Sequence, residues 1–166
     1  VLAILLGVGS VGLLEEGGVR GICGVGVIVQ HRPHADGPSD IVLWGETRAR
    51  ILSQELVTGS YFSAQVQPLR EAPGTGAPEA LAQLRRDLLV LLRERLEARF
   101  PGRSGDLLSD VLKQSPGLGA LADFAAATLL GDPGERQAIL EILDVQARAD
   151  RVRGILDRSV LEVCGP

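Results

Sequence analysis

The hydrophobic period of this chain changes once, at the Pro/Gly segment Glu71-Ala-Pro-Gly-Thr-Gly-Ala-Pro78. Before it, β-branched runs at 1–6, 21–30, 40–44, 47–57 and 61–68 are separated by Gly-, Pro- and Asp-rich breaks, the pattern of strands. After it, apolar residues recur at helical spacing. Strands followed by helices specify an α+β arrangement and exclude an alternating βαβ fold. The expected organisation is a strand subdomain over 1–70, a linker or exposed loop over 71–78 and a helical subdomain over 79–166. A chain of 166 residues accommodates these as one tightly packed domain with a normal core.

The helical half divides at its punctuation. Residues 79–99 place Leu81, Leu84, Leu88, Leu91 or Leu92, and Leu96 on one face, and this amphipathic helix ends before Pro101-Gly102. A short helix over about 105–114 stops at Ser115-Pro116-Gly117. The next, 118–130, is apolar almost all round apart from Asp123 and Thr128, as expected at the centre of a helical cluster. Asp132-Pro133-Gly134-Glu135 joins a capping Asp to a proline at the first helical position and a Glu three residues after the cap. That helix should reach about Leu143. Asp144 can cap a last one, in which Val145, Ala149, Val152 and Leu156 recur at helical spacing. Four to five helices are therefore expected.

In the strand half, Asp36-Gly37 lies between two apolar runs and tolerates the positive φ that closes a hairpin. Gly45 then interrupts a strand pattern, as at a bulge or sharp bend, and the pattern resumes with Arg48, Arg50, Ile51 and Leu52, which suggests a coiled, barrel-like sheet. The ordered set Gly24, Gly26, Ile28, Asp36-Gly37, Leu43, Gly45, Arg48, Arg50, Ile51, Tyr61, Ala64, Val66 and Leu69 resembles the amino-terminal, substrate-binding domain of Lon proteases. It looks most like the small bacterial proteins that carry this domain alone. In the helical half Gln137, Leu140, Glu141, Asp144, Val145 and Arg148 stand at matching places, so the resemblance covers nearly the whole chain. It implies a PUA-like β-barrel packed against a helical bundle, and a domain that recognises unfolded or damaged polypeptide. One departure is the family's usual LPLFPL-like opening strand and FPG…PLHIFE-like segment, which have no counterpart here. The barrel is then expected to lack its first segment, leaving an open edge, or to be completed by residues before Val1; the absence of any Met fits the second.

Composition narrows the function further. The net charge is −4 with no run of five or six like charges, so no basic nucleic-acid footprint is visible and nucleic acid is not an expected partner. The opening VLAILL is too short for a spanning helix or a secretory signal, so a soluble chain without a membrane partner is expected. Cys23 lies in a core-like run and Cys164 in the tail, without CxxC spacing, which fits a reducing, cytoplasmic setting.

Gly7-Val8-Gly9-Ser10-Val11-Gly12 has the form of a dinucleotide fingerprint, but Gly17-Gly18 follows within one turn, leaving no room for the helix that would meet a pyrophosphate. A loop between strands is the preferred reading. His31, His34 and Asp36 cluster as H-x-x-H-x-D, yet a closed site needs a fourth ligand, so these read as solvated turn residues. Lys113 is the single lysine and reads as a solvated helix end. No G-x-x-x-x-G-K-[ST] occurs, and the serine–lysine peptidase domain of full Lon proteases has no counterpart. A catalytic role and a cofactor are not expected. A small metal- or nucleotide-dependent enzyme, using the His31 turn or the Gly7 loop, is the alternative.

The candidate binding residues are Trp44, Tyr61, Phe62, Arg48 and Arg50. Arg48 and Arg50 share one face of a strand and can clamp an acidic ligand, although pairing with Glu46 and Glu55 at the sheet surface is the favoured reading. Relatives usually carry a polar residue where Trp44 stands, so this Trp is expected to be exposed, and large exposed aromatics are enriched at binding hot spots. The expected function is a non-catalytic protein-binding module for unfolded or partly folded segments. It would present an apolar patch or a sheet edge able to accept a strand, with docking to a protease or self-association as further possibilities.

Overall fold

A computed structural model of the chain describes residues 3–6, 21–35, 37, 39–57, 61–114 and 117–163. It divides into two compact units, Val1–Arg70 and Glu71–Pro166. The first holds the strands β1 (Ala3–Leu6), β2 (Ile22–Pro33), β3 (Ser39–Val57) and β4 (Tyr61–Leu69). They pair antiparallel in sequence order, a meander in which β1 and β4 are the outer strands. The second unit holds α1 (Pro78–Arg99), α2 (Ser104–Gln114), α3 (Leu118–Leu129), α4 (Pro133–Leu140) and α5 (Val145–Val163). The α+β class and a bundle of five helices are as the sequence implies. No helix among the described residues is long and apolar enough to cross a membrane.

Three breaks of register shape the sheet. Val25 faces Thr47 while Gly26 faces Gly45, so Glu46 is an extra residue on β3. Ile28 faces Leu43 and Gln30 faces Val42, which leaves Val29 extra on β2. Ile51 faces Val66 and Ser53 faces Gln65, which leaves Leu52 extra on β3. The runs 40–44 and 47–57 are thus one long strand with a bulge at the expected place. A bulge sharpens the local twist and turns the side-chain alternation over by one residue. At this bulge the two backbones come unusually close: a Cβ on Gly26 would lie 2.3 Å from the carbonyl oxygen of Trp44, whereas one on Gly45 would meet open space. At the hairpin's end Gly37 has a φ of 105° and its N–H donates to the His34 carbonyl, the left-handed turn expected there.

The helical unit buries one leucine-rich core. Leu84, Leu88, Leu92 and Leu96 recur every fourth residue along α1 and meet Leu121, Ala122, Ala125 and Ala126 of α3 and Ala149, Val152 and Leu156 of α5. The alanines of α3 have little side chain to hold the helices apart, so this helix can sit at the centre. Asp132 caps α4 by accepting from the N–H groups of Gly134 and Glu135, each at 3.1 Å, and Asp144 accepts from Ala147 N–H at 2.7 Å at the start of α5.

The segment 71–78, read as a linker or exposed loop, is largely exposed and is hydrogen-bonded to the helical unit. Ala72 N–H donates to the Leu143 carbonyl and Val145 N–H donates to the Ala72 carbonyl, both at 3.0 Å. These bonds end α4 at Leu140, short of the expected Leu143, because 142–145 turns to meet residue 72. Gly76 N–H donates to Gln146 Oε1 at 2.8 Å. Arg148 locks the same junction. Its side chain is fully buried, with Nη2 2.5 Å from Glu71 Oε1, Nε 3.1 Å from Asp123 Oδ1, and Nη1 donating to the Ile142 carbonyl at 2.9 Å. A Cβ on Gly119 would lie 2.7 Å from that Nη2, so the glycine makes room for the guanidinium.

Replacing Arg148 with Ala removes two ion pairs and opens a cavity, but Glu71 and Asp123 are partly exposed and regain water. Urea unfolding should show a loss of about 2–4 kcal/mol. Glu71→Gln, which retains an acceptor, should lose about 1 kcal/mol. In the sheet, Gly26→Ala must displace backbone and should cost about 1–3 kcal/mol, whereas Gly45→Ala should stay within about 0.5 kcal/mol of the parent. Equal effects of the two alanines would contradict the close approach at the bulge.

Candidate functional site

Beyond the Glu46 bulge, β2 and β3 continue together as an arm. Trp44 pairs with Val27, which shares a face of β2 with Val25 and Cys23, and Cys23 pairs with Ala49. The bulge therefore places Trp44 on the same face as buried Cys23 and Ala49; an unbroken alternation along β3 would put it on the other. Val42 joins Trp44 on this face, and Ile28, Leu43 and Ile41 lie on the reverse. Burial decreases along the arm. Cys23 and Ala49 are covered, Val27, Ile28 and Leu43 are half-buried, and Trp44, Val42, Ile41 and the bulged Val29 are 51%, 50%, 41% and 58% exposed. Single exposed apolar residues are ordinary, but four lie close together on this arm, Trp44 and Val42 on one face and Ile41 on the reverse.

The residues singled out in the sequence fall in different places. Arg48 and Arg50 pair with Gly24 and Ile22, and so lie on the face opposite Trp44, the first half-buried and the second exposed. Tyr61 and Phe62 pair through their backbones with Val57 and Leu56, at the other end of β3 from Trp44, and their side chains lie outside the described residues. The five candidates do not converge on one spot. His34 Nε2 lies 2.9 Å from Asp40 Oδ2, a partner the spacing pattern did not include, while His31 faces Ile41. Asp36 and the Gly7–Gly12 loop lie outside the described residues, among which no group of three His, Cys, Asp or Glu side chains could hold a metal. Val29, Ile41 and Val42 were not singled out. The available signal was IVLW, four large apolar residues in a row, which a strand with one wet face does not need.

A family model described as the ATP-dependent protease La (LON) substrate-binding domain matches residues 16–158. The chain belongs to the LON substrate-binding domain family. It is 30% identical over 142 residues to a Lon protease of Dictyoglomus thermophilum and 29% identical over 135 residues to one of Methylocella silvestris, covering 84% and 80% of this chain. It spans only 17% and 16% of the length of those relatives. Among solved structures it is similar to the N-terminal domain of a Mycobacterium avium complex Lon protease, with a TM-score of 0.66 at 22% identity, covering 87% of this chain and 74% of that one. A Lon N-terminal domain protein from Xanthomonas campestris gives 0.53 at 16% identity, covering 84% and 70%. These two likenesses show the shared fold.

Elsewhere this LON domain offers shallow hollows where α1 meets α2. One is lined by Arg93, Leu108, Ser109, Leu112 and Lys113, and Lys113 stands 4.0 Å from Asp110 at the surface. In the next, the Ser104 hydroxyl and the Gly102 N–H, with Arg93 nearby, hold the Glu97 carboxyl below its ordinary range. That carboxylate closes the end of α1. Cys23 Sγ sits 3.5 Å from the Ala49 carbonyl, and burial pushes its thiol pKa up, so it is protonated at neutral pH and a poor nucleophile. Its contribution to stability is complete below the thiol's unfolded pKa and is lost as pH rises through the folded one. Iodoacetamide labelling, mapped by mass spectrometry so that Cys164 is scored separately, should be slow at Cys23 until urea unfolds the sheet. Fast native labelling at neutral pH would place Cys23 outside the core.

Proposed function

We propose that this chain is a non-catalytic binding module that captures unfolded or damaged polypeptide segments for protein quality control, through the apolar arm of β2 and β3. The observation that carries this reading is the exposure of Trp44, Val42, Ile41 and Val29 together on the arm, beyond buried Cys23 and Ala49. Folded proteins bury most of their large apolar side chains, so a surface of this kind favours chains that have not. The family match supports the reading, since the matched model describes a substrate-binding domain. Trp44 is the anchor, having the largest apolar area on the arm and few rotatable bonds to immobilise. Arg48 and Arg50, on the reverse face, contribute to a separate surface.

The test uses a permanently unfolded protein, reduced and alkylated, as client. Trp44→Ala should weaken capture by about 10- to 30-fold, as for a hot-spot residue. The melting temperature should move by only about 2 °C, since half of the side chain is already in water. A large loss of stability with unchanged capture would make Trp44 a core residue and remove this site.

A further inference from the structure

We propose that the face of the sheet opposite Trp44 binds an extended acidic polypeptide segment. An apolar residue of that segment sits over Gly26 and Gly45, and acidic residues two and four positions further on meet Arg48 and Arg50. This surface is separate from the one formed by Trp44 and Val42, and it goes beyond the capture proposed for the arm.

The register lays out the face row by row. Arg50 stands between Ile22 of β2 and Gln67 of β4, and Arg48 between Gly24 and Leu69. In the next row Gly26 faces Gly45, and in the one after it Ile28 faces Leu43. Two guanidiniums therefore occupy one end of the face and two half-buried apolar side chains the other. Between them the glycine row is a gap in the side-chain layer, where a Cβ on Gly45 would meet open space.

The sequence favours pairing of the arginines with Glu46 and Glu55, yet among the described residues neither Arg50 nor Glu46 forms an ion pair. Glu55 stands opposite Ser63, four residues along β4 from Gln67, which is about 13 Å at the rise of a strand. Arg50 and Gln67 are both exposed. An arginine keeps its charge, so a face that carries two must meet water or acceptors. A further strand at either edge of the sheet would widen it and leave this face as it is.

Charge selects an acidic occupant, and spacing selects its pattern. Successive rows on one face are two residues apart, about 7 Å, and an extended segment repeats its own side chains at the same interval. Strands packed face to face run within about 30° of each other. A segment aligned with β3 thus sets residue i over Gly26 and Gly45, i+2 at Arg48 and i+4 at Arg50, with Ile28 and Leu43 flanking the apolar residue. Acidic residues at i+1 and i+3 would point away from the sheet. The chain carries −4 overall, so long-range attraction does not draw an acidic segment in, and the preference rests on these contacts.

Fluorescence anisotropy of the whole chain with synthetic peptides tests this. One peptide carries Phe at i and Glu at i+2 and i+4 in a Ser/Thr background, and its twin has the same composition with Glu at i+1 and i+3. The matched peptide should bind about fivefold or more tightly than the twin, as two well-placed surface ion pairs allow. Arg50→Glu should weaken the matched peptide by about fivefold or more and remove the difference between the two. Gly45→Val, which fills the gap, should remove the advantage of Phe over Ala at position i. Trp44→Ala should leave the matched peptide unaffected while it weakens capture of unfolded protein, so the two surfaces are read separately. Equal binding of the matched peptide and its twin, or unchanged affinity in Arg50→Glu, would overturn the inference and leave the proposed function standing. Loss of the matched peptide in Trp44→Ala but not in Arg50→Glu would assign it to the arm and overturn the inference as well.

Discussion

A single buried guanidinium sets the layout of the helical unit. Arg148 cannot shed its charge, so every position it occupies must supply acceptors. Here Glu71 ahead of α1 and the Ile142 carbonyl between α4 and α5 accept its hydrogen bonds, and Asp123 on α3 adds an ion pair. Segments far apart in sequence are thereby held at one point, and only a planar fork with several donors can serve three directions at once. The leucine core alone would tolerate sliding of one helix along another, because apolar contact is not directional. The arginine, with Gly119 making room for it, gives that core its register.

The sheet is set by its bulges in the same way. Without Glu46 as an extra residue, Trp44 would leave the face that carries Cys23 and Ala49, and the arm would lose its continuity with the core below it. The close approach of the Gly26 and Trp44 backbones holds that bulge, and the Val29 bulge twists the arm further out. Exposure of apolar side chains is thus built into the backbone and is not an accident of composition.

Much of this was legible in the sequence, and the losses share a cause. Periodicity located all five helices, and Asp132 and Asp144 announced their caps, because these signals are local. Gly45 marked the bulge for the same reason. The composition of 71–78 reads as a linker or exposed loop, and nothing in the segment reveals that Gln146 and Arg148 bind it from 70 or more residues away. Arg148 itself matched the family at the right place without disclosing that it is buried. The arrangement of the candidate residues was not legible either. Trp44 stood out by type and is exposed, but grouping it with Tyr61, Phe62, Arg48 and Arg50 required knowing the register, and three bulges alter it.

An arm that exposes Val29, Ile41, Val42 and Trp44 together should aggregate unless something opposes it. The arm carries several opposing features. Pro33 closes β2 without an N–H to donate, and Arg32 places positive charge where a second arm would approach. The bulge at Val29 makes the arm twisted, which a flat stack of identical strands cannot match. Each of these penalises self-pairing more than pairing with a flexible chain, because an unfolded segment adapts to the twist, omits its own cations and needs no symmetry. Under the proposed function, the features that keep such a surface from itself leave it open to polypeptide that has lost its fold.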